Sequence, residues 1–251
     1  MNTFGSLFAG IGGIDLGLER AGWQCKWQVE IDPYEQYVLD KHWPDIPTLP
    51  DVKDFPPDEG QWDVDLIAAG FPCQDISVAG GSHQKGLDGD RSGLYAEVIR
   101  ICNLLLPRWL VLENVSALLT RGLGRIYTDL AQIGLPEGPP HFTYMEHHCI
   151  PANSVGAPHQ RDRIFIIANA NGERLQRHGE LGHPRQICTQ ETLGLCRSEA
   201  GQSQWGTESN VDRMGHGFPN RVDRIKALGN SVVPQVAEYL GRSIMEYDHA
   251  D

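Results

Sequence analysis

The chain has 251 residues, 40% of them apolar, which is enough for one sizeable core and too apolar for disorder as its main state. A net charge of −12 and a pI near 5.2 exclude a uniformly basic surface that would hold nucleic acid regardless of sequence. The longest apolar runs, such as Ile164–Ala168, fall far short of the ~18 residues that span a bilayer, and the N-terminus does not read as a signal peptide, so no membrane partner is expected.

From Thr3 to Ala170 short apolar runs alternate with amphipathic helical spacing, the pattern of a parallel sheet with helices on its faces. Strands are expected near 4–8, 25–30, 65–69, 109–113, 141–149 and 164–168, with Asp51 following a further strand position. The first strand runs into FAGIGG (Phe8–Gly13) and then into a helix whose Ile14, Leu18 and Ala21 share a face. Glycines fall where a tight strand-to-helix turn needs them and where a ligand can approach the backbone. The run is not the dinucleotide fingerprint, because the third glycine would fall at Asp15. Glu30 closes the second strand about 20 residues after Gly10, where folds of this kind place an acceptor for ribose hydroxyls.

The strand ending in AGFPCQ (Ala69–Gln74) puts Cys73 at the carboxyl edge of the sheet, between residues that suit a rigid exposed turn better than a core. A helix follows, with Leu94, Val98, Ile101 and Leu105 on one face, and the next strand ends in LENV (Leu112–Val115), bringing Glu113 to the same edge as Cys73. HQRDRIF (His159–Phe165) leads into the last strand, and an extended backbone would put Arg161 and Arg163 on one side of it.

Residues 171–222 show no sustained period and read as a loop-rich insertion; the eight Lys and Arg of 171–226 outnumber seven Asp and Glu, against 12 and 22 in 1–170. A final helix is expected over about 233–246, where Val236, Leu240 and Ile244 repeat at i, i+4, i+8. Cysteines at 25, 73, 102, 149, 188 and 196 include no CxxC pair, which argues against a zinc ribbon or a disulfide framework and for a reducing, cytoplasmic location. His147, His148 and Cys149 lack a second ligand pair at metal spacing, so no metal is expected.

Taken together, FAGIGG, GFPCQ, ENV, QRDR and ALGNSVVP (Ala227–Pro234) resemble, in order and in rough spacing, the motifs of the cytosine-5 DNA methyltransferases in the compact form of bacteria and their phages. The match spans nearly all the chain apart from 171–220. The resemblance implies an α/β, Rossmann-like S-adenosylmethionine-dependent methyltransferase sheet. It implies a catalytic and cofactor domain at 1–170, a small target-recognition region at 171–222, and a C-terminal segment, 223–251, returning to the catalytic domain.

It also implies roles. Cys73 would attack carbon 6 of a cytosine flipped out of duplex DNA, Glu113 would hold the ring near N3, Arg163 would contact O2, and Arg161 would support Arg163. Phe8, Gly10, Gly12, Gly13, Glu30, Ile31, Asp51, Val52, Pro72, Leu94 and Asn230 fall on positions that surround S-adenosylmethionine. Ser77–Arg91 matches the loop that closes over DNA, and Gly215–Asn230 resembles the closing stretch of small phage members, as expected for a complete, bare modification enzyme. The expected partners are double-stranded DNA and a companion restriction endonuclease, with the chain acting as a monomer in a bacterial or phage-infected cell.

The insertion is short for this family, so specificity is expected from a small module in which Arg174, Arg177, Arg185, Arg197, Arg213, Arg221 and Arg224 are candidates for phosphate or guanine contacts. Three alternatives stay open at this level: a transfer RNA cytosine-5 methyltransferase, a catalytically silent nucleic-acid binder, and a cysteine hydrolase, the last lacking a histidine partner for Cys73. How Cys73 is activated also stays open, since a thiol with an ordinary pKa of ~8.5 is mostly protonated at neutral pH.

Overall fold

The computed structural model describes residues 2–58, 60–72, 93–134, 138–170 and 221–249. In chain order its elements are β1 (Thr3–Leu7), α1 (Gly13–Arg20), β2 (Gln24–Val29), α2 (Pro33–His42), β3 (Thr48–Leu49), β4 (Leu66–Ala69), α3 (Gly93–Leu105), β5 (Trp109–Val115), α4 (Leu118–Arg121), α5 (Leu123–Leu130), β6 (Tyr144–Pro151), β7 (Asp162–Asn169), α6 (Arg221–Asn230) and α7 (Pro234–His249). The strands form one seven-stranded sheet in the order β3-β2-β1-β4-β5-β7-β6.

Pairings from β3 across to β5 are parallel, and β7 runs antiparallel to both β5 and β6. The parallel sheet with helices on its faces that the alternation implies is thus observed, with one reversed strand, β7, added to it. The physical reason is the connection: β6 reaches β7 through residues 152–161 and a single 3-10 turn, too little chain for the helical crossover that parallel neighbours require.

Both faces of the sheet are covered, so the strands read as continuous apolar runs. Ile67, Ala69, Leu110, Leu112, Ile164 and Ile166 point to one side, against Tyr95, Val98 and Ile101 of α3 and Ile126 and Leu130 of α5. Leu66, Ala68, Trp109, Val111, Phe165 and Ile167 point to the other, against Ile14 and Leu18 of α1 and Val236, Leu240 and Ile244 of α7. Helices α1 and α7 approach closely because Gly17 has no side chain: a Cβ there would collide with the carbonyl of Pro234 and lie 2.5 Å from Ala237 Cβ.

Local signals set the other element ends. Asp32 caps α2, its side chain accepting from the Tyr34 N–H, and Pro33 takes the first helical position, where no N–H is needed. The capped α2 and the helices α4, α5 and α6 were not expected from periodicity, because each is short or exposes much of its surface. Helix α6 crosses the expected boundary between 222 and 223, while residues 171–220 and Ser77–Arg91, to which the insertion and the loop that closes over DNA were assigned, lie outside the described residues.

Candidate active site

At the carboxyl edge of the parallel strands, the loops enclose a cavity of about 680 Å³, within the range of cofactor-sized sites. Its first wall is the turn between β1 and α1. Phe8, Gly10 and Gly12 all have positive φ, at 57°, 60° and 79°. A left-handed Phe8 is strained, and hydrogen bonds from Ala9 N–H to Val29 O (3.1 Å) and from Gly12 N–H to Ala9 O (3.0 Å) hold the turn in place.

Glu30 joins this turn to the next loop. Its Oε2 accepts from the Gly10 N–H at 2.8 Å and its Oε1 from the Asp32 N–H at 2.9 Å. Each carboxylate oxygen has a further lone pair, so Glu30 can brace the cavity and still accept from a ligand hydroxyl. Asp51 caps the 3-10 turn Val52–Asp54 by accepting from the Lys53 N–H at 3.0 Å. Arg100 of α3 fastens the same turn from behind, its Nη2 donating to Val52 O at 3.0 Å and to Phe55 O at 2.6 Å.

Of the expected cofactor residues, Phe8, Gly10, Gly13, Glu30, Ile31, Asp51, Val52, Pro72, Leu94 and Asn230 line this cavity. Gly12 does not; its Cα faces α2, where a Cβ would run into the ring of Trp43. Its left-handed conformation and that contact explain the glycine through packing. The dimensions and the donor set fit S-adenosylmethionine: an apolar slot walled by Phe8, Ile31 and Leu94, with acceptors at Glu30 and Asp51.

The opposite end of the cavity is set by β5 and β7. Glu113 is 7% exposed and lies 2.8 Å through Oε1 from Arg163 Nε. Pairing of Val115 with Arg163 and of Glu113 with Phe165 in the antiparallel ladder places the two side chains together. Burial pushes the Glu113 carboxyl up to about 7, against the lowering influence of the Arg163 and Arg161 charges. Its Oε2 lies against Gly70, 3.4 Å from where a Cβ would stand, so the carboxyl faces the chain just after β4. Pro72 lines the cavity; Cys73 itself lies outside the described residues.

Arg161 departs from expectation. Its φ is 36°, outside the extended region, and β7 begins only at Asp162, so alternation does not put it beside Arg163. Its Nη2 instead donates to Ser231 O at 2.7 Å, tying the start of β7 to the Asn230–Val232 wall. Arg161 therefore holds the wall, and Arg163 faces Glu113.

Five residues not singled out in the sequence contribute. Asn114, 4% exposed, donates through Nδ2 to Phe71 O at 3.0 Å and so holds the chain that follows β4. Its place inside ENV was a usable signal, as was that of Ser231 inside ALGNSVVP. Arg100 and Glu35, which also lines the cavity, carry no local signal, because only tertiary packing gives their positions meaning. Lys226 ties α6 to the N-cap of α2, its Nζ 2.7 Å from Asp32 Oδ2. On the edge strand β6, His147 meets the Tyr127 hydroxyl at 2.8 Å and His148 lies 3.1 Å from Glu146.

The family of C-5 cytosine-specific DNA methylases matches residues 2–213. The chain is 34% identical over 168 residues to Type II methyltransferase M2.BsuMI of Bacillus subtilis, covering 65% of this chain and 41% of that protein. It is 31% identical over 198 residues to Type II methyltransferase M.AquIA of Picosynechococcus, covering 72% of this chain and 79% of that protein. The chain thus spans less than half of the Bacillus relative, and of M.HpaII of Haemophilus parainfluenzae 45%. The same fold occurs in the crystal structure of a protein encoded within an E. coli prophage, with a TM-score of 0.64 at 18% identity, covering 98% of this chain and 99% of that one.

Proposed function

The chain belongs to the C-5 cytosine-specific DNA methylase family, and from that premise we propose that it transfers a methyl group from S-adenosylmethionine to carbon 5 of a cytosine flipped out of duplex DNA. The observation that carries this reading is the buried Glu113–Arg163 pair at one end of a cavity whose other end is the glycine turn braced by Glu30. Such a cavity puts an acid and a cation against a ring while a nucleoside cofactor lies alongside.

The cofactor, when bound, supplies an electrophilic methyl group on its sulfonium, a chemistry that needs no metal. The rest falls to the protein. The Cys73 thiolate adds to carbon 6 of the cytosine, and Glu113, held up to about 7 by burial, is partly protonated near neutrality and can donate to N3. That proton draws electron density from the ring as the thiolate adds, leaving carbon 5 nucleophilic. Arg163 contacts O2 and keeps Glu113 from rising further, and Arg161 holds the cavity wall through Ser231. After methyl transfer, loss of the carbon 5 proton expels the Cys73 thiolate and restores the aromatic ring.

Glu30 would accept from the ribose hydroxyls, with Phe8, Gly10, Gly13, Ile31, Asp51, Val52, Pro72, Leu94 and Asn230 enclosing the rest of the nucleoside and its amino-acid tail. Residues 171–222 supply target recognition on this reading. On this reading the chain acts as a monomer. The relatives are named Type II methyltransferases, which supports work beside a companion restriction endonuclease in the cytoplasm of a bacterial or phage-infected cell. No helix among the described residues is long and apolar enough to cross a membrane.

The test is covalent trapping. Duplex DNA carrying 5-fluorocytosine, incubated with S-adenosylmethionine, should yield a denaturation-resistant complex with the wild type and none with Cys73→Ala. Persistence of methyl transfer in Cys73→Ala, or preferential modification of transfer RNA in competition with duplex DNA, would overturn the reading.

A further inference from the structure

The cavity contains a carboxyl group to which the proposed reaction assigns no task. Glu35, in the first turn of α2, is 7% exposed and lines the same wall as Glu30. Glu30 and Glu35 border the same cavity, close enough for the charge of Glu30 to raise the Glu35 carboxyl. The two differ in what else they do. Glu30 uses one lone pair on each oxygen for backbone N–H groups, from Gly10 and Asp32, and so cannot turn without opening both loops. Glu35 has no backbone tie of that kind among the described residues and borders the open volume.

Resting on the assignment of this cavity to S-adenosylmethionine, we propose that Glu35 is a cofactor-binding residue that faces the ribose hydroxyls together with Glu30, so that two carboxyl groups rather than one receive the sugar. Two carboxyl groups this close accommodate a shared proton better than two charges. With one proton between them, the pair offers both a donor and acceptors, which matches a vicinal diol, each hydroxyl of which donates and accepts.

The surroundings favour that arrangement. Burial and the charges of Glu30 and Asp32 raise the Glu35 carboxyl to about 7, while Lys226, reaching from α6 to Asp32, opposes them. The sign follows: below about 7 the pair holds its proton, and as pH rises through that value two negative charges must share a poorly solvated wall, which weakens their hold on the diol.

The experiment is calorimetric binding of S-adenosylhomocysteine and its 2′-deoxyribose analogue to the full chain, at about pH 6 and about pH 8, with Glu35→Gln and Glu35→Ala beside the wild type. Glu35→Ala should lose about tenfold affinity for the ribose form and much less for the deoxy form, as expected for one lost charge-assisted contact. Glu35→Gln should bind within about threefold of the wild type at the lower pH and lose the weakening at the higher one. Equal losses for both sugars, unchanged affinity in Glu35→Ala, or a pH dependence that survives in Glu35→Gln would overturn the proposal. If the wild type binds neither form, the assignment of the cavity falls and this proposal falls with it; if it binds both and Glu35→Ala matches it, only the role of Glu35 falls.

Discussion

A side chain's chemistry here depends on what surrounds it, and Glu113 is the clearest case. Its neighbours in sequence are Leu112 and Asn114, which say nothing of its protonation; burial on β5 raises it to about 7 and Arg163 limits the rise. The protonated carboxyl is the form that can donate to N3, so its contribution is full below about 7 and is lost as pH rises through that value. Methyl transfer under single-turnover conditions should therefore decline on the alkaline side, and Glu113→Gln, which cannot lend a proton, should lose that limb and slow transfer by about a hundredfold or more. Cofactor affinity, measured separately, should stay within about threefold. A variant that loses cofactor binding and rate together would place Glu113 in the cofactor wall instead. The motif ENV made Glu113 legible in the sequence, but its pairing with Arg163 was not, since fifty residues separate them and only strand register joins them.

Elements matter at this site for what they hold still. Helix α3 serves the cavity in two ways, by Leu94 at its first turn, which lines it, and by Arg100, whose guanidinium grips the carbonyls of Val52 and Phe55 from outside it. Arg100 is a positioning residue: it touches no cavity volume and acts through the Asp51–Val52 turn. Arg100→Ala frees that turn and should raise the dissociation constant for S-adenosylmethionine about tenfold, leaving the rate at saturating cofactor largely unchanged. A fall in saturated rate with unchanged affinity would contradict this assignment. Periodicity did mark α1, α3 and α7, each with a repeating apolar face; it missed α2, whose signals are the Asp32 cap and Pro33, and the short α4 and α5. The reversal of β7 was likewise hidden, because an apolar run such as Ile164–Ala168 reads the same in either direction.

For the whole molecule, the cavity depends on the C-terminal helix closing back over the first one. Helix α7 lies on α1, and Gly17 is where the two backbones come closest. Gly17→Val would force them apart at a packed contact and should cost about 1–3 kcal/mol of stability, read as a lower urea midpoint with an unchanged slope. An unchanged midpoint would mean that the contact is not tight in solution. Through Ser231 and Arg161 the same docking fixes the Asn230 wall, so a loosened α7 is also expected to weaken cofactor binding. By itself the sequence determined the three-layer α/β plan, the glycine turn and the strand-end carboxylates, because those rest on local spacing, and its motifs carried the family resemblance that named the other expected cavity residues. Only the tertiary structure decided that Arg163 and not Arg161 meets Glu113, that Gly12 packs on Trp43 outside the cavity, and that Glu35 stands beside Glu30 within it. Hydrogen-bond partners and burial are set by strand register and helix docking between residues far apart in the chain, and no local pattern encodes them.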